Sequence, residues 1–278
     1  MIAFHKYQGT GNDFIIIDNR DKKFDAQNTK KIALLCDRHF GVGADGLILL
    51  EKSSNADCFM NYYNSDGTVA EMCGNGVRCL AKFFLELTKS KKPQKKELLI
   101  DTRTGIKKVM CNSDGSFSVN MGVPVFSHKD FPKNSLVLEN IEFNFVSMGN
   151  PHAVGLVKNL SEINISQIGP KIENDSHFPN KINVEFVEKV RDDYFKVKVW
   201  ERGSGATLSC GTGACAVYAI LKSNHPIGKT YRVAEITLEF TGGNLHLSEN
   251  EKGEIILRGP AEFVFKREMK IARQDLTT

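Results

Sequence analysis

"EMCGNGVRC" at residues 71–79 and "LSCGTGACA" at 208–216 share one plan. In each, a cysteine precedes Gly-x-Gly, and a run apolar enough for a helix follows. Zinc fits poorly, because the spacings are C-x5-C and C-x4-C whereas structural knuckles use C-x2-4-C. In a helix beginning near Gly74, Cys73 and Cys79 would lie almost two turns apart. A C-x-x-C redox pair is absent from both stretches. A helix start explains them better. Glycines 74, 76, 211 and 213 let backbone N–H groups turn toward a bound group, and a helix N-terminus offers free donors and partial positive charge. That seats a carboxylate and favours a thiolate at Cys73 and at Cys210. Cys79 and Cys215 fall inside the helices and read as packing residues.

The two stretches also mark a repeat. Cys73 and Cys210 are 137 residues apart, as are Asn64 and Glu201, while Asn12 in "GTGNDF" and Asn150 in "SMGNPH" are 138 apart. Three pairs at nearly one offset imply two similar α+β halves. If a pseudo-twofold axis relates them, both helix starts face one cleft and hold one small anion between two thiols. Two equivalent groups on opposite faces of one carbon suit stereoinversion: a thiolate removes a proton and a thiol delivers one from the other side.

Short alternating or apolar runs recur along the chain, among them "GLILLE" at 46, "IEFNFVSM" at 141 and "YFKVKVW" at 194. Turn signals separate many of them: "NSDG" at 64 and again at 112, "TGGN" at 241, "NEKG" at 250. This predicts hairpin-rich, largely antiparallel sheet. Helical spacing covers 29–40 through Ile32, Leu35, Cys36 and His39, and 77–85 through Val77, Leu80, Ala81, Phe84 and Leu85. "ACAVYAIL" at 214–221 is apolar on every side and predicts a helix buried all round.

The composition, 278 residues with 41% apolar and 25% charged, is that of a globular chain. A net charge of +4 does not argue for nucleic acid. The lysine run at 89–96 lacks interleaved aromatic residues and reads as a solvated connection. Neither a signal peptide nor a membrane span is evident. Seven cysteines without an export signal argue for thiols in a reducing cytoplasm, not a disulfide framework.

"GTGNDF", "NSDGTVAEMCGNGVRC", "SMGNPHAV", "NKINVEF" and "WERGSGATLSCGTGACA" together resemble the diaminopimelate epimerase family, end to end. Proline racemases and hydroxyproline epimerases share the two-cysteine plan, but their first cysteine typically precedes Gly-His-Gly. Here Gly-Asn-Gly follows Cys73, and Glu201-Arg202 precedes the second cysteine. The resemblance implies an isomerase in lysine and cell-wall precursor synthesis, needing neither pyridoxal phosphate nor metal and forming a homodimer. The fold it implies has halves 1–118 and 119–263, with the tail 264–278 returning to the first. Each half is a mostly antiparallel sheet curled around a buried helix.

For the site, the resemblance implies Cys73 and Cys210 as the acid/base pair, with His152 and Glu201 setting their ionisation. It places Gly74, Asn75, Gly211 and Thr212 at the reacting carboxylate through N–H groups. Asn12, Asn64, Asn150, Asn183, Glu201 and Arg202 match the family's substrate contacts, and a guanidinium suits the distal carboxylate of a diamino diacid. The other histidines (His5, His39, His128, His177, His225, His246) read as structural, and Asp13 and Asp66 as turn and hydrogen-bonding residues. Position 46 is glycine where some members carry a substrate-contacting glutamine, so the pocket there needs completion by backbone or water. Two rival readings are another two-thiol amino-acid racemase and a non-catalytic thiol redox switch on the same fold.

Overall fold

The computed structural model describes residues 1–88, 96–223 and 234–269. The lysines of the 89–96 run other than Lys96, His225 and the end of the C-terminal tail lie outside the described residues. Contacts divide the chain into two units: Met1–Gly9, Asp13–Phe117 and the chain from Ala261 on, and Thr10–Asn12 with Ser118–Pro260.

The first unit runs β1 (Ile2–Gly9), β2 (Asn12–Asp18), α1 (Thr29–Cys36), β3 (Gly46–Glu51), β4 (Cys58–Asn64), α2 (Gly74–Thr88), β5 (Glu97–Asp101), β6 (Lys107–Cys111) and the start of β7 (Phe117–Gly122). The second adds β8 (Leu136–Leu138), β9 (Ile141–Ser147), β10 (Pro151–Val157), α3 (Ile165–Glu173), β11 (Asn183–Arg191), β12 (Tyr194–Glu201), β13 (Gly205–Thr207), α4 (Gly211–Lys222), β14 (Glu235–Phe240), β15 (Gly243–Glu249) and β16 (Ile255–Gly259). The last strand, β17 (Glu262–Met269), belongs to the first unit, where it pairs antiparallel with β1.

The internal repeat is a repeat of topology. In the first unit β2–β3 is parallel, β3–β4 antiparallel, β4–β5 parallel and β5–β6 antiparallel. The second repeats that order as β10–β11, β11–β12, β12–β14 and β14–β15. Antiparallel pairs predominate, but each helix crosses between two parallel strands, as a parallel pair requires. The turn signals fall where expected. Gly115 and Gly253 adopt positive φ between consecutive strands, Gly243 does so at the first position of β15, and Gly67 after β4.

Helix α1 ends at Cys36, short of the predicted 40, and His39 is exposed. Asp37 turns to an extended backbone, and its carboxylate accepts from the N–H groups of His39 and Phe40, each at 2.7 Å. That local ring competes with helix continuation. Helix α2 packs on β1, β3, β5 and β17, and α4 on β9, β10, β11, β15 and β16. Every residue from Gly211 to Leu221 is buried, as the all-apolar run predicts.

In both helices the second glycine of the motif is set by close packing. A Cβ on Gly76 would stand 2.9 Å from Met60 Cε and 3.0 Å from Ile48 Cδ1. On Gly213 it would stand 2.5 Å from Glu185 Oε1 and 3.2 Å from Cys210 Cβ. Neither glycine has positive φ, so space and not backbone freedom demands it.

Asp13 anchors the base of the first unit. It pairs with Lys6 at 2.6 Å and Arg38 at 2.7 Å, and Arg38 also reaches Asp45 at 2.7 Å. Partial burial alone raises the Asp13 carboxyl, but hydrogen bonds and charge from Arg38 and Lys6 outweigh it and bring it down to about 2.

Two predictions follow from these contacts. Gly213→Ala should destabilise more than Gly76→Ala, within the range of about 1–3 kcal/mol usual for overpacking. Met60 and Ile48 end in movable methyl groups, whereas Glu185 is tied to His152. Urea unfolding of both variants gives the comparison. Because the folded Asp13 carboxyl lies below its unfolded value of about 3.9, its stabilisation is present above that value and is lost as pH falls through about 2. The Tm margin of wild type over Asp13→Asn should therefore shrink between about pH 4 and pH 2. A margin constant across that window would show that the ion pairs contribute nothing.

Candidate functional site

Each unit carries one cysteine at a helix start. In the first, the Cys73 carbonyl accepts from Val77 N–H at 2.9 Å, the first bond of α2. Cys73 is half-buried, and Gly74 and Asn75 follow it in the first turn. The Asn75 side chain turns inward, its Oδ1 accepting from Arg78 at 2.9 Å. Arg78 is wholly buried and places a fixed cation in the second turn of α2. Asn64 ends β4 exposed, with Nδ2 donating to Thr68 Oγ1 at 3.0 Å. Gly46 stands opposite Asn64 in register. A Cβ there would lie 2.6 Å from the Tyr62 ring and 3.2 Å from its hydroxyl, so Tyr62 occupies the space where a side chain at 46 would begin.

In the second unit Cys210 caps α4. Gly213 N–H donates to its sulfur at 3.4 Å, and Thr212 Oγ1 lies 3.4 Å away. The helix start alone predicts a lowered thiol, and here the opposite holds. Burial, then the charges of Glu201 and Glu185, push Cys210 well above its ordinary range and outweigh the bonds from Thr212 and Gly213. Glu201 is itself raised by burial against the opposing bonds from Thr207 and Cys210. A carboxyl group poised upward beside a buried thiol can exchange a proton with it.

Glu201 and Arg202 sit on the β12–β13 hairpin. Thr207 Oγ1 donates to Glu201 Oε1, and the Gly203 N–H donates to Glu173 Oε1 at 3.0 Å. Glu173 also accepts from Trp200 Nε1 at 2.7 Å, so one buried carboxylate fixes the hairpin from beneath. The Arg202 side chain is exposed, with one donor on Asn180 O at 3.1 Å. Asn183 joins the hairpin to β10: Nδ2 donates to Pro151 O at 2.8 Å, and Oδ1 accepts from Arg202 N–H at 3.0 Å. Its amide is largely committed to the scaffold, which restricts the direct contact expected of it. Asn150 precedes β10 and His152 is its second residue, with His152 Nε2 at 3.0 Å from Asn150 Oδ1. The loop carrying Asn12 joins this unit through Thr10, which bonds Ser209 at 2.8 Å.

The expected residues thus fall into two groups. Cys73, Gly74 and Asn75 stand at the start of α2, and Asn64 ends β4 of the same unit. Asn12, Asn150, His152, Asn183, Glu201, Arg202, Cys210, Gly211 and Thr212 belong to the unit built around α4. His177 pairs with Asp175 and His128 with Asp130, and His246 bonds Thr237. His5 lies against Phe83. Four polar residues escaped the sequence reading: Arg78, Glu173, Thr207 and Glu185. Arg78 and Glu185 had one signal, a charge inside an otherwise apolar run, "GVRCLA" and "NVEFV".

The family model described as diaminopimelate epimerase matches residues 4–127 and 144–264. The diaminopimelate epimerase of Nostoc punctiforme is 41% identical over 279 residues, covering 95% of this chain and 98% of the relative. That of Synechococcus elongatus is 40% identical, covering 98% and 99%. The chloroplastic enzyme of Oryza sativa is 41% identical, covering 95% and 79%. Solved structures extend the fold further. A hydroxyproline epimerase from Agrobacterium vitis has a TM-score of 0.68 at 15% identity, covering 96% of this chain and 91% of that one. A Bacillus anthracis phenazine biosynthesis protein of the PhzF family has a TM-score of 0.69 at 18%, covering 97% and 99%. At such identities they share the architecture of two pseudo-symmetric halves. With the family model spanning most of its length and relatives near 40% identity from end to end, this chain belongs to the diaminopimelate epimerase family.

Proposed function

We propose that this protein epimerises diaminopimelate, interconverting the LL and meso forms, with Cys73 and Cys210 as its two proton-transferring groups and without an added cofactor. The observation that carries the reading is the duplicated helix-start cysteine, one per unit, in a chain of this family. One sulfur takes the α-proton as thiolate. The other, as thiol, delivers its proton to the opposite face, and the roles exchange in the reverse direction. The raised Cys210 thiol favours the proton-donor role at rest. When Cys210 acts as base, the raised Glu201 carboxyl beside it is the natural acceptor of its proton. N–H groups at Gly74, Asn75, Gly211 and Thr212 receive the reacting carboxylate. Asn12, Asn64, Asn150 and Arg202 hold the distal end, with Arg202 pairing its carboxylate and Asn183 bracing the Arg202 main chain. The family resemblance supports a homodimer working in a reducing cytoplasm, and the seven free thiols accord with that compartment.

Incubation with LL-diaminopimelate in D2O tests the proposal through exchange of the α-proton. Exchange with this substrate and not with proline is expected. Exchange with proline would point to the proline type of racemase, and no exchange with any amino acid under reducing conditions would point to a redox role.

Cys73→Ala and Cys210→Ala should each lower turnover by about 10²–10⁴, the usual size of a general acid/base contribution. Cys79→Ala and Cys215→Ala, buried inside α2 and α4, should retain most activity in the folded protein. Near-normal epimerisation by either of the first pair would end the two-base mechanism. Arg202→Ala should lower kcat/KM for diaminopimelate, with Arg202→Lys restoring only part, since an ammonium lacks the planar bidentate fork. An unchanged kcat/KM in Arg202→Ala would remove Arg202 from the substrate contacts.

A further inference from the structure

Glu185 lies in mid-β11, opposite Val154 of β10 and Val199 of β12, and is wholly buried. Its Oε1 is 2.7 Å from His152 Nδ1, and its Oε2 has no hydrogen-bond partner. An ionised carboxylate taken out of water costs several kcal/mol unless a cation faces it. His152, itself without exposed surface, is the group that pairs with it. The other ring nitrogen, Nε2, faces Asn150 Oδ1 at 3.0 Å. A carboxylate oxygen thus faces Nδ1 and an amide oxygen faces Nε2, an arrangement in which both contacts are hydrogen bonds when both ring nitrogens donate. Glu185 also abuts the first turn of α4, where a Cβ on Gly213 would stand 2.5 Å from Oε1. A helix start favours negative charge there. The other titratable groups near His152 are Glu201 on β12 and Cys210 at the head of α4, and Glu201 favours the same cation.

The first unit shows that the architecture does not need this pair. At the equivalent register positions β2 and β3 place Phe14 and Ile48 beneath α2, with Ile48 Cδ1 and Phe14 Cε1 within 3.0 and 3.5 Å of a Cβ on Gly76. The same helix-on-sheet contact is therefore apolar in one unit and ionic in the other. Buried ion pairs do not generally out-stabilise apolar residues of similar size, so stability alone does not account for the pair.

We propose that Glu185 is a positioning residue: it holds His152 as an imidazolium, whose Nε2–H fixes Asn150 Oδ1 and leaves the Asn150 amide NH2 as a donor for substrate. The last step rests on the reading of Asn150 as a substrate contact. A carboxylate, an imidazolium and an amide then form one chain of hydrogen bonds from beneath α4 to the half-buried start of β10. Asn150 would otherwise be free to turn and present its oxygen to an acidic substrate.

The test begins without substrate, on the full chain labelled with 15N-histidine. His152 is assigned by loss of its signals in His152→Asn. At neutral pH both ring nitrogens of wild type should show the protonated form, and an unprotonated ring nitrogen would overturn the proposal. Glu185→Gln keeps the size and can still accept from Nδ1–H, but lacks the charge. Its His152 should carry one proton, and KM for diaminopimelate should rise about tenfold, the scale of one hydrogen bond, with a smaller change in kcat. Unchanged histidine signals, or an unchanged KM, would remove Glu185 from any positioning role. The double variant His152→Phe/Glu185→Ile copies the first unit. It should fold with Tm no lower than wild type while losing substrate affinity, and recovery of wild-type kcat/KM would show that the pair is only packing. If wild type exchanges no diaminopimelate proton at all, the epimerase reading fails, while the NMR result still judges the Glu185–His152 pair.

Discussion

The constraint on which the rest depends is the close approach of two helix starts to the strands beneath them. Gly76 rests over Ile48 and Met60, and Gly213 over Glu185, with no room for a Cβ at either place. These contacts bring the first turns of α2 and α4 down onto their sheets. They fix where Cys73 and Cys210 sit, because each cysteine is the residue from which its helix begins. A buried helix start must have its N–H groups satisfied by something. At α4 a sulfur takes one of them, and others stay available for a carboxylate. The chemistry assigned to the thiols is thus a result of packing before it is a result of electrostatics.

The duplicated architecture then acquires different electrostatics in its two copies. The first unit places an apolar layer under α2 and buries Arg78 within the helix. The second puts His152, Glu185 and Glu201 around α4 and has Cys215 where the first has Arg78. The two helices therefore rest on unlike surroundings.

Much of the site was legible because its residues cluster in short motifs. Cys73 and Cys210 stood out by their glycines, and Asn64 with Glu201 by their shared offset. What stayed hidden depends on pairing between distant segments. Glu185 meets His152, 33 residues earlier, and Gly213, and Glu173 meets Trp200 and Gly203. The same reason explains the sheet. Turn signals report local reversals, so the antiparallel hairpins were visible, whereas the parallel pairs β2–β3 and β10–β11 join strands separated by a helix and leave no local mark. The early end of α1 was decided by one aspartate carboxylate that spacing could not weigh. The raised Cys210 escaped for a further reason: burial, and then the charges of Glu201 and Glu185, outweigh what a helix start does to a thiol.

The return of β17 to pair with β1 has a consequence for synthesis. The pairing joins Ile2 to Met269 and Gln8 to Glu262, so the first unit is closed by strands from the two ends of the described chain. The second unit is nearly continuous, from Ser118 to Pro260, and needs from upstream only the Thr10–Asn12 loop. On the ribosome, the later-made unit has all its strands before the earlier-made one does. Until residue 269 emerges, β1 offers a bare edge, the kind of surface that invites pairing with another nascent chain. Lys6, buried in the finished unit against Asp13 and Gly43, is the charge on β1 that blunts that edge while it waits.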